Sequence, residues 1–215
     1  MNYIFDFDGT LADSKQCSIL STRKAFEICG LNIPSQQQIE YYMGIPIEQS
    51  FPLMADCELP VDKLTKLLEV FRSYYKQFEQ DRLTVFDGIP AVLAGLKSGD
   101  NRLFVVSSKK TDVLLRNLQT LAIDYYFDDF LGSDKVAHYK PHPAGIWQLQ
   151  KEYGLHIDDC IMIGDAIFDI QMGQAAGCKT YAVTWGSHSK EALQAQNPTH
   201  CVDKVAELLH LENYY

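Results

Sequence analysis

The sequence predicts an α/β protein with a parallel sheet, helices on both faces of the sheet, and an all-helical segment inserted after the first strand. From about residue 85 onward, short apolar runs alternate with segments of helical periodicity, which is typical of a parallel sheet. Between residues 14 and 82, apolar residues recur at helical spacing and strand-like runs are almost absent.

The first element is a short buried strand at residues 3–7, which includes the carboxylate of Asp6. The long segment that follows is divided by prolines at positions 34, 46, 52 and 60, so it predicts several short helices. We therefore assign residues 1–13 and 83–215 to an α/β core and residues 14–82 to a helical insertion. The helical spacing is clearest at Leu64, Leu67, Leu68, Phe71 and Tyr75.

The remaining elements follow in alternation. We expect helices at residues 89–96, 111–121, 143–153 and 168–176, and strands at residues 102–107, 130–132, 159–164 and 179–184. In open α/β sheets, ligands bind beyond the carboxyl ends of the strands. Polar residues follow three of the apolar runs, so we expect these side chains to converge: Asp6, Ser107 and Asp165.

Composition limits the classes of function. The chain has 215 residues, is 47% hydrophobic and has a net charge of −9, without a basic cluster, so nucleic acid is not expected as a partner. The six cysteines form no Cys-x-x-Cys pair, which predicts a reducing cytoplasm rather than a zinc or disulfide protein. We identify no signal peptide and no apolar stretch of 18 residues, so no membrane association is predicted.

Asp6 and Asp8 place two carboxylates near one point at the end of the first strand. Such a pair repels itself unless a cation or a shared proton compensates, and Mg²⁺ prefers oxygen ligands of this kind. Gly9 permits a tight turn directly after the pair. The alternative is a strand-end turn with ordinary solvated acids. A calcium loop is disfavoured because Thr10 stands at the position of its third ligand.

Polar residues in three further segments have both a functional and a structural interpretation. Ser107 or Ser108 at a strand end can hold phosphate oxygens, or can simply cap the next helix. Lys140 precedes Pro141-His142-Pro143, a stiff frame in which its ammonium can neutralise a phosphate or carboxylate; an isolated lysine is otherwise a surface residue. Asp165 follows a strand, and Asp169 lies one helical turn later on the same face; the structural alternative for Asp169 is a favourable interaction with the helix dipole.

Several catalytic classes lack their motifs in this chain. The six histidines show no metal-ligand spacing, and no Gly-x-Ser-x-Gly nucleophile elbow occurs. Neither a P-loop nor a dinucleotide-binding glycine motif is present.

Four motifs in order resemble the haloacid dehalogenase superfamily, specifically phosphoglycolate phosphatase-like members with a helical cap. Residues 6–14 resemble the first motif, residues 105–109 the second, residues 140–143 the third and residues 163–169 the fourth. The resemblance implies a Rossmann-like core and a cap formed by the helical insertion, with Gly44-Ile45-Pro46 similar to a substrate-facing cap loop.

The resemblance also implies residue roles. Asp6 would be the nucleophile that forms an aspartyl-phosphate, and Asp8 the general acid/base. Asp6, the backbone carbonyl of Asp8, and Asp165 would bind Mg²⁺, with Asp169 in support. The phosphate-binding residues would be Ser107, Ser108, Lys140, Gly9 and Thr10.

The expected activity is hydrolysis of a small phosphorylated metabolite by a phosphoric monoester hydrolase. Residues 25–62 contain no Lys or Arg, so the cap cations of phosphonate-cleaving and sugar phosphomutase relatives are missing there, although Lys15, Lys24 and Lys76 remain candidates. The same absence weakens phosphoglycolate as the substrate. A sugar phosphomutase, or a binding or regulatory protein with incidental activity, stays open as an alternative.

Overall fold

A computed structural model describes the backbone of residues 1–214 and the side chains of residues 1–210. Within this part of the chain, six strands form one parallel sheet in the order β5-β4-β1-β6-β7-β8, and β2 pairs with β3 in a separate antiparallel ribbon. The strands are β1 (Asn2–Phe5), β2 (Ala12–Asp13), β3 (Thr84–Val85), β4 (Arg102–Val106), β5 (Asp129–Leu131), β6 (Cys160–Gly164), β7 (Lys179–Val183) and β8 (His200–Val202).

Helices of the α type cover the sheet and fill the interval between β2 and β3. They are α1 (Lys15–Ile28), α2 (Gln36–Tyr41), α3 (Ile47–Met54), α4 (Val61–Arg82), α5 (Ile89–Lys97), α6 (Thr111–Thr120), α7 (Ala144–Tyr153), α8 (Ile167–Ala176) and α9 (Lys190–Gln194). Short 3-10 helices occur at Tyr42–Gly44, Asp124–Tyr126, Ser133–Lys135, Ile157–Asp159 and Val205–Tyr214, the last with a break at His210. No helix in the described residues is long and apolar enough to cross a membrane.

The sheet is buried on both faces, as the apolar runs predict. Successive residues of β1 point to opposite faces: Tyr3 and Phe5 join the larger apolar core, and Ile4 joins a second core on the other side. The predicted fold class, an α/β sheet flanked by helices, is thereby confirmed.

The helical segment between β2 and β3 extends the larger apolar core, and within it α1 packs against α4. Phe26 of α1 meets Phe51 of α3 edge to face, with ring centroids 5.4 Å apart, and Phe51 meets Phe71 of α4 at 5.2 Å. Aromatic edge-to-face pairs of this kind stabilise a small core beyond their burial alone.

Most predicted element boundaries agree with the structure within one or two residues. Elements that were not predicted are α9, β8 and the two-residue strands β2 and β3. β8 is a short edge strand whose His200 and Cys201 are only partly buried, so it lacks the continuous apolar run of a central strand. β2 and β3 are too short to produce a periodic pattern.

Candidate active site

The register of the central strands brings three polar residues to one edge of the sheet: Asp6, Ser107 and Asp165. Phe5 of β1 pairs with Val105 of β4 on one side and with Ile163 of β6 on the other. Because parallel strands in register end at the same edge, the residues that follow these pairs emerge together. The backbone N–H of Asp6 continues this pattern by donating to the carbonyl of Ile163 at 2.8 Å.

Two buried carboxylates contact one buried ammonium at this edge, and a third buried carboxylate lies beside them. The Nζ of Lys140 lies 2.5 Å from Oδ1 of Asp6 and 2.7 Å from Oδ1 of Asp169. One oxygen from each of Asp6, Asp165 and Asp169 lies within 4.8 Å of the other two. If all three carboxylates are ionised, Lys140 neutralises only one of the three negative charges.

Burial and crowding oppose ionisation of these acids. Burial raises the pKa of Asp6 well above its ordinary value; the charge of Lys140 opposes this rise, and the neighbouring carboxylates add to it. For Lys140, burial disfavours the charged form, but Asp169 and Asp6 outweigh burial and raise the pKa of its ammonium. Lys140 is therefore a permanent cation within an acidic cluster.

Asp165 is held by two donors from different loops. Its Oδ1 accepts from the hydroxyl of Thr10 at 3.0 Å, and its Oδ2 accepts from the backbone N–H of Ser187 at 2.7 Å. Burial, followed by the charge of Asp169, nevertheless raises the pKa of Asp165 to about 7, and the two hydrogen bonds only partly offset this rise. The loop at Gly9 fits tightly against this carboxylate: Gly9 has φ 81°, and a Cβ there would lie 2.2 Å from Oδ2.

Asp169 uses both of its carboxylate oxygens within the protein. Oδ1 accepts from Lys140, and Oδ2 accepts from the backbone N–H of Ala166 at 3.0 Å, at the start of α8. The side chain is fully buried. Asp169 thus connects the start of α8 to Lys140. It is both an acid at a helix start and a partner of a candidate site residue, so the two interpretations considered from the sequence are compatible.

The cluster fits a hard divalent cation. Its donors are carboxylate oxygens, the ligands that Mg²⁺ prefers, and the excess of buried negative charge is the condition that a bound cation relieves. Of the three acids, only Asp169 bonds both Lys140 and the start of a helix. Asp6 and Asp165 do not. Within the described residues, this is the one group of three or more acidic, histidine or cysteine side chains close enough to share an ion.

Asp8 lies beside the cluster and has different partners. Its Oδ1 is 2.9 Å from Nζ of Lys109 and accepts a short hydrogen bond from the hydroxyl of Ser14. Lys109 also donates to the hydroxyl of Tyr75 in α4 at 2.7 Å and lies 4.1 Å from the centroid of that ring. Burial disfavours a charged Lys109, but Asp8 and then Tyr75 outweigh it and raise the pKa of the ammonium.

Lys109 and Tyr75 are site residues that sequence reasoning did not single out. Lys109 was noted only as the last residue of the second motif, and Tyr75 only as an apolar position of a helix. Their contact joins residues 34 positions apart, so no local spacing announces it. The sequence signal that could have indicated Lys109 is its position directly after the Ser-Ser pair at the end of a strand.

The two serines after β4 have different surroundings. Ser107 is buried, receives a hydrogen bond from the N–H of Lys109 at 3.2 Å, and shares the wall of a small cavity with Lys140. Ser108 donates its hydroxyl to the carbonyl of Gly44 at 2.9 Å, across to the helical segment.

The donors proposed at Gly9 and Thr10 are already engaged. The N–H of Gly9 donates to the carbonyl of Ala12 at 2.8 Å, and the hydroxyl of Thr10 donates to Asp165. These groups shape the turn around the carboxylates, and a phosphate would have to displace their present partners.

The helical segment also contacts the loop after β7. The rings of Tyr41 and His188 stack with centroids 5.3 Å apart, and Nε2 of His188 lies 2.9 Å from the carbonyl of Tyr41. Because the N–H of Ile167 donates to Nδ1 of His188, the Nε2–H tautomer satisfies both contacts. The helical segment therefore contacts the loops at the carboxyl edge of the sheet after both β4 and β7.

Several known proteins resemble this chain in sequence. A model of the family described as haloacid dehalogenase-like hydrolase matches residues 3–183. The chain is 29% identical to a phosphoglycolate phosphatase of Pectobacterium atrosepticum, over 96% of this chain and 90% of that protein. It is 25% identical to pyrophosphatase PpaX of Bacillus velezensis, over 97% and 94% of the two chains.

Solved structures resemble the whole chain. A crystal structure from Haemophilus somnus, described as a predicted phosphoglycolate phosphatase, superposes with a TM-score of 0.89 at 26% identity and covers 98% of this chain and 96% of its own. A predicted phosphatase from Clostridium acetobutylicum superposes with a TM-score of 0.88 at 26% identity, over 100% and 98% of the two chains.

Proposed function

The chain belongs to the haloacid dehalogenase-like hydrolase family, and from that premise we propose that it is a Mg²⁺-dependent phosphatase that hydrolyses a small phosphorylated metabolite through an aspartyl-phosphate. The observation that supports this proposal most directly is the cluster of Asp6, Asp165 and Asp169 around Lys140 at the carboxyl edge of the sheet. Phosphoryl transfer depends mainly on positioning and on charge stabilisation, and this cluster offers both.

Asp6 is the proposed nucleophile. One of its carboxylate oxygens forms the new bond to phosphorus while the bond from phosphorus to the leaving oxygen breaks. Lys140, 2.5 Å from Asp6, orients this carboxylate and balances the charge of the transferred group. Bound Mg²⁺ would supply further charge neutralisation, held by Asp6, Asp165 and the backbone carbonyl of Asp8, with Asp169 fixing Lys140.

Asp8 is the proposed general acid and base. It gives its proton to the leaving oxygen, then takes a proton from the water that attacks phosphorus, which releases inorganic phosphate and restores Asp6. The contacts of Asp8 with Lys109 and Ser14 support a fixed position for this side chain. Of the two serines, Ser107 is the better candidate for holding a phosphoryl oxygen, because Ser108 already donates to Gly44.

Residues 14–82 are the proposed cap, and residues 1–13 and 83–215 the catalytic core. The contacts from Tyr75 and Gly44 to the core support a cap that closes over Asp8 and excludes water around the reacting groups. The six free cysteines are consistent with the cytoplasm as the proposed location.

A generic aryl phosphate such as p-nitrophenyl phosphate tests the proposal. We expect hydrolysis with Mg²⁺, its loss in EDTA, and a decrease of at least about a thousandfold in Asp6→Asn with unchanged circular dichroism. Asp13→Asn is the matched control, because Asp13 is an exposed acid of β2, a few residues after Asp6. Absence of Mg²⁺-dependent hydrolysis in the wild type would refute the phosphatase and favour a binding protein.

A sugar phosphomutase would behave differently. It would convert one phosphosugar isomer into another without net release of inorganic phosphate, which a phosphate-release assay on the same substrates distinguishes.

A further inference from the structure

A cavity of about 360 Å³ lies between the proposed cap and the edge of the sheet. Its volume falls in the range of small-molecule sites, which are commonly about 300–1,000 Å³. Asp8, Ser108 and Lys109 form its wall on the core side, and helices of the cap form much of the rest. Since Asp8 is the proposed proton donor to the leaving oxygen, the group attached to that oxygen would extend into this cavity.

The cap side of the cavity is largely apolar. Helix α1 contributes the hydroxyls of Ser18 and Thr22. The apolar side chains come from α2, α3 and α4 and from the turn between α2 and α3, and include Ile39, Met43, Ile45, Phe51, Met54 and Phe71. The two methionines can adjust to ligands of different shape because their side chains are unbranched and flexible. An apolar wall of this kind binds a ligand by removing apolar surface from water.

The buried or half-buried cations at the cavity already have carboxylate partners. Arg72 of α4 lies 2.5 Å from Glu48 of α3. Lys109 is bonded to Asp8, and Arg116 lies 2.6 Å from Glu79. The remaining cations of the wall, Lys76 and Lys110, are exposed to solvent, where their charge is screened.

We infer that the substrate is the phosphate monoester of a neutral, mainly apolar alcohol, with an alkyl or aryl body that occupies this cavity. The inference rests on the proposed phosphatase function and adds the substrate class. A two-carbon carboxylate such as that of phosphoglycolate would leave most of the cavity to water. It would also have to separate Arg72 from Glu48, or Arg116 from Glu79, to gain a counter-charge outside the proposed catalytic groups.

A series of straight-chain alkyl phosphates tests the inference on the wild-type protein. Propyl, butyl, pentyl and hexyl phosphate differ in apolar surface but hardly in the chemistry of the leaving oxygen. Burial of one methylene favours binding by up to about fourfold, so kcat/KM should rise at least about tenfold from propyl to hexyl phosphate. Hexyl phosphate should also exceed phosphoglycolate.

A cavity-filling variant provides the second measurement. Val113 of α6 lies on the wall, whereas Leu115 of the same helix does not. Val113→Phe should reduce kcat/KM for hexyl phosphate several times more than for propyl phosphate, because the variant cavity is smaller and the longer chain needs more of its volume. Leu115→Phe, the matched control, should leave the ratio of the two substrates unchanged.

The outcomes distinguish failure of the inferred substrate class from failure of the proposed phosphatase function. If p-nitrophenyl phosphate is hydrolysed but kcat/KM does not depend on chain length, or phosphoglycolate is preferred, the assigned substrate class is wrong and the phosphatase stands. If no ester is hydrolysed with Mg²⁺, the phosphatase proposal fails and the substrate class with it.

Discussion

The ammonium of Lys140 lies 2.5 Å from the carboxylate of Asp6, although 134 positions separate the two residues in the chain. The same nitrogen lies 2.7 Å from Asp169, so a single buried cation serves the proposed nucleophile and the start of α8 together. Stability and activity should therefore respond together to changes at this position.

Replacing Lys140 with Met should lower the free energy of unfolding in EDTA by about 3 kcal/mol, because a buried carboxylate that loses its partner is strongly destabilising. Urea denaturation measures this change. Lys110→Met removes an exposed lysine and should alter the free energy by no more than about 0.5 kcal/mol. Equal stability of Lys140→Met and the wild type would mean that the acids are neutral without the lysine.

In the metal-free protein, the contribution of Asp165 to the free energy of unfolding should decrease as the pH rises from about 4 to about 7. The folded state raises the pKa of Asp165 from 3.8 to about 7, so in this interval the folded protein holds a proton that the unfolded chain has released. Urea denaturation in EDTA across this range measures the slope. Asp165→Asn should flatten it, and a slope that is the same in the variant would assign the titration to other groups.

Gly9→Ala should impair Mg²⁺ binding and activity beyond its cost in backbone strain. Its Cβ would lie 2.2 Å from Asp165, whereas a Cβ at Gly30, which also has positive φ, meets no atom within 4 Å. Both substitutions incur a backbone cost of about 1 kcal/mol. Mg²⁺ titration followed by thermal unfolding compares them, and equal Mg²⁺ affinity in the two variants would contradict a tight fit around Asp165.

Glu79→Ala should lower the free energy of unfolding by about 2 kcal/mol. The buried carboxylate of Glu79 in α4 accepts two hydrogen bonds from Arg116 and one from Asn117 in α6, and its loss leaves these donors unpaired. Glu27→Gln disrupts the exposed pair with Lys24 and should change it by less than about 1 kcal/mol. Denaturant titrations that give equal losses would show that solvent already screens the Glu79 contacts.

Glu48→Gln should shift the substrate preference toward anionic leaving groups. The substitution removes the charge that neutralises Arg72, which leaves the guanidinium available to a carboxylate in the cavity. The ratio of kcat/KM for phosphoglycolate to that for hexyl phosphate should rise about fivefold or more, since a charge-assisted hydrogen bond contributes about 1.5–3 kcal/mol. An unchanged ratio would exclude Arg72 from contact with the leaving group.

The carboxylate cluster was accessible from sequence because it follows from strand register. Asp6 and Asp165 each follow a buried apolar strand, and parallel strands in register bring such residues together. Lys140 was predicted from the stiff segment that contains it, without knowledge of its partners. In each case a short local pattern singles out the residue, although for Lys140 it does not identify the partners.

The surroundings of Asp8 were not accessible in this way. The contact between Lys109 and Tyr75 depends on how α4 lies across the sheet edge, which no local pattern encodes. Among the cap cations considered from sequence, Lys76 lines the cavity, Lys24 pairs with Glu27, and Lys15 donates to the carbonyl of Gly186. Arg72, which lies just beyond the lysine-free and arginine-free stretch, was overlooked.

The division of the site between two parts of the chain has an evolutionary consequence. Residues 39–71 supply most of the apolar cavity wall, whereas the strand ends at Asp6 and Asp165 supply the charged cluster. Mutations in the cavity wall can therefore diversify the proposed substrate range while the proposed reactive centre is inherited unchanged. Selection should be strictest at the contacts between these two parts of the chain, where Lys109 donates to the hydroxyl of Tyr75 and Ser108 donates to the carbonyl of Gly44.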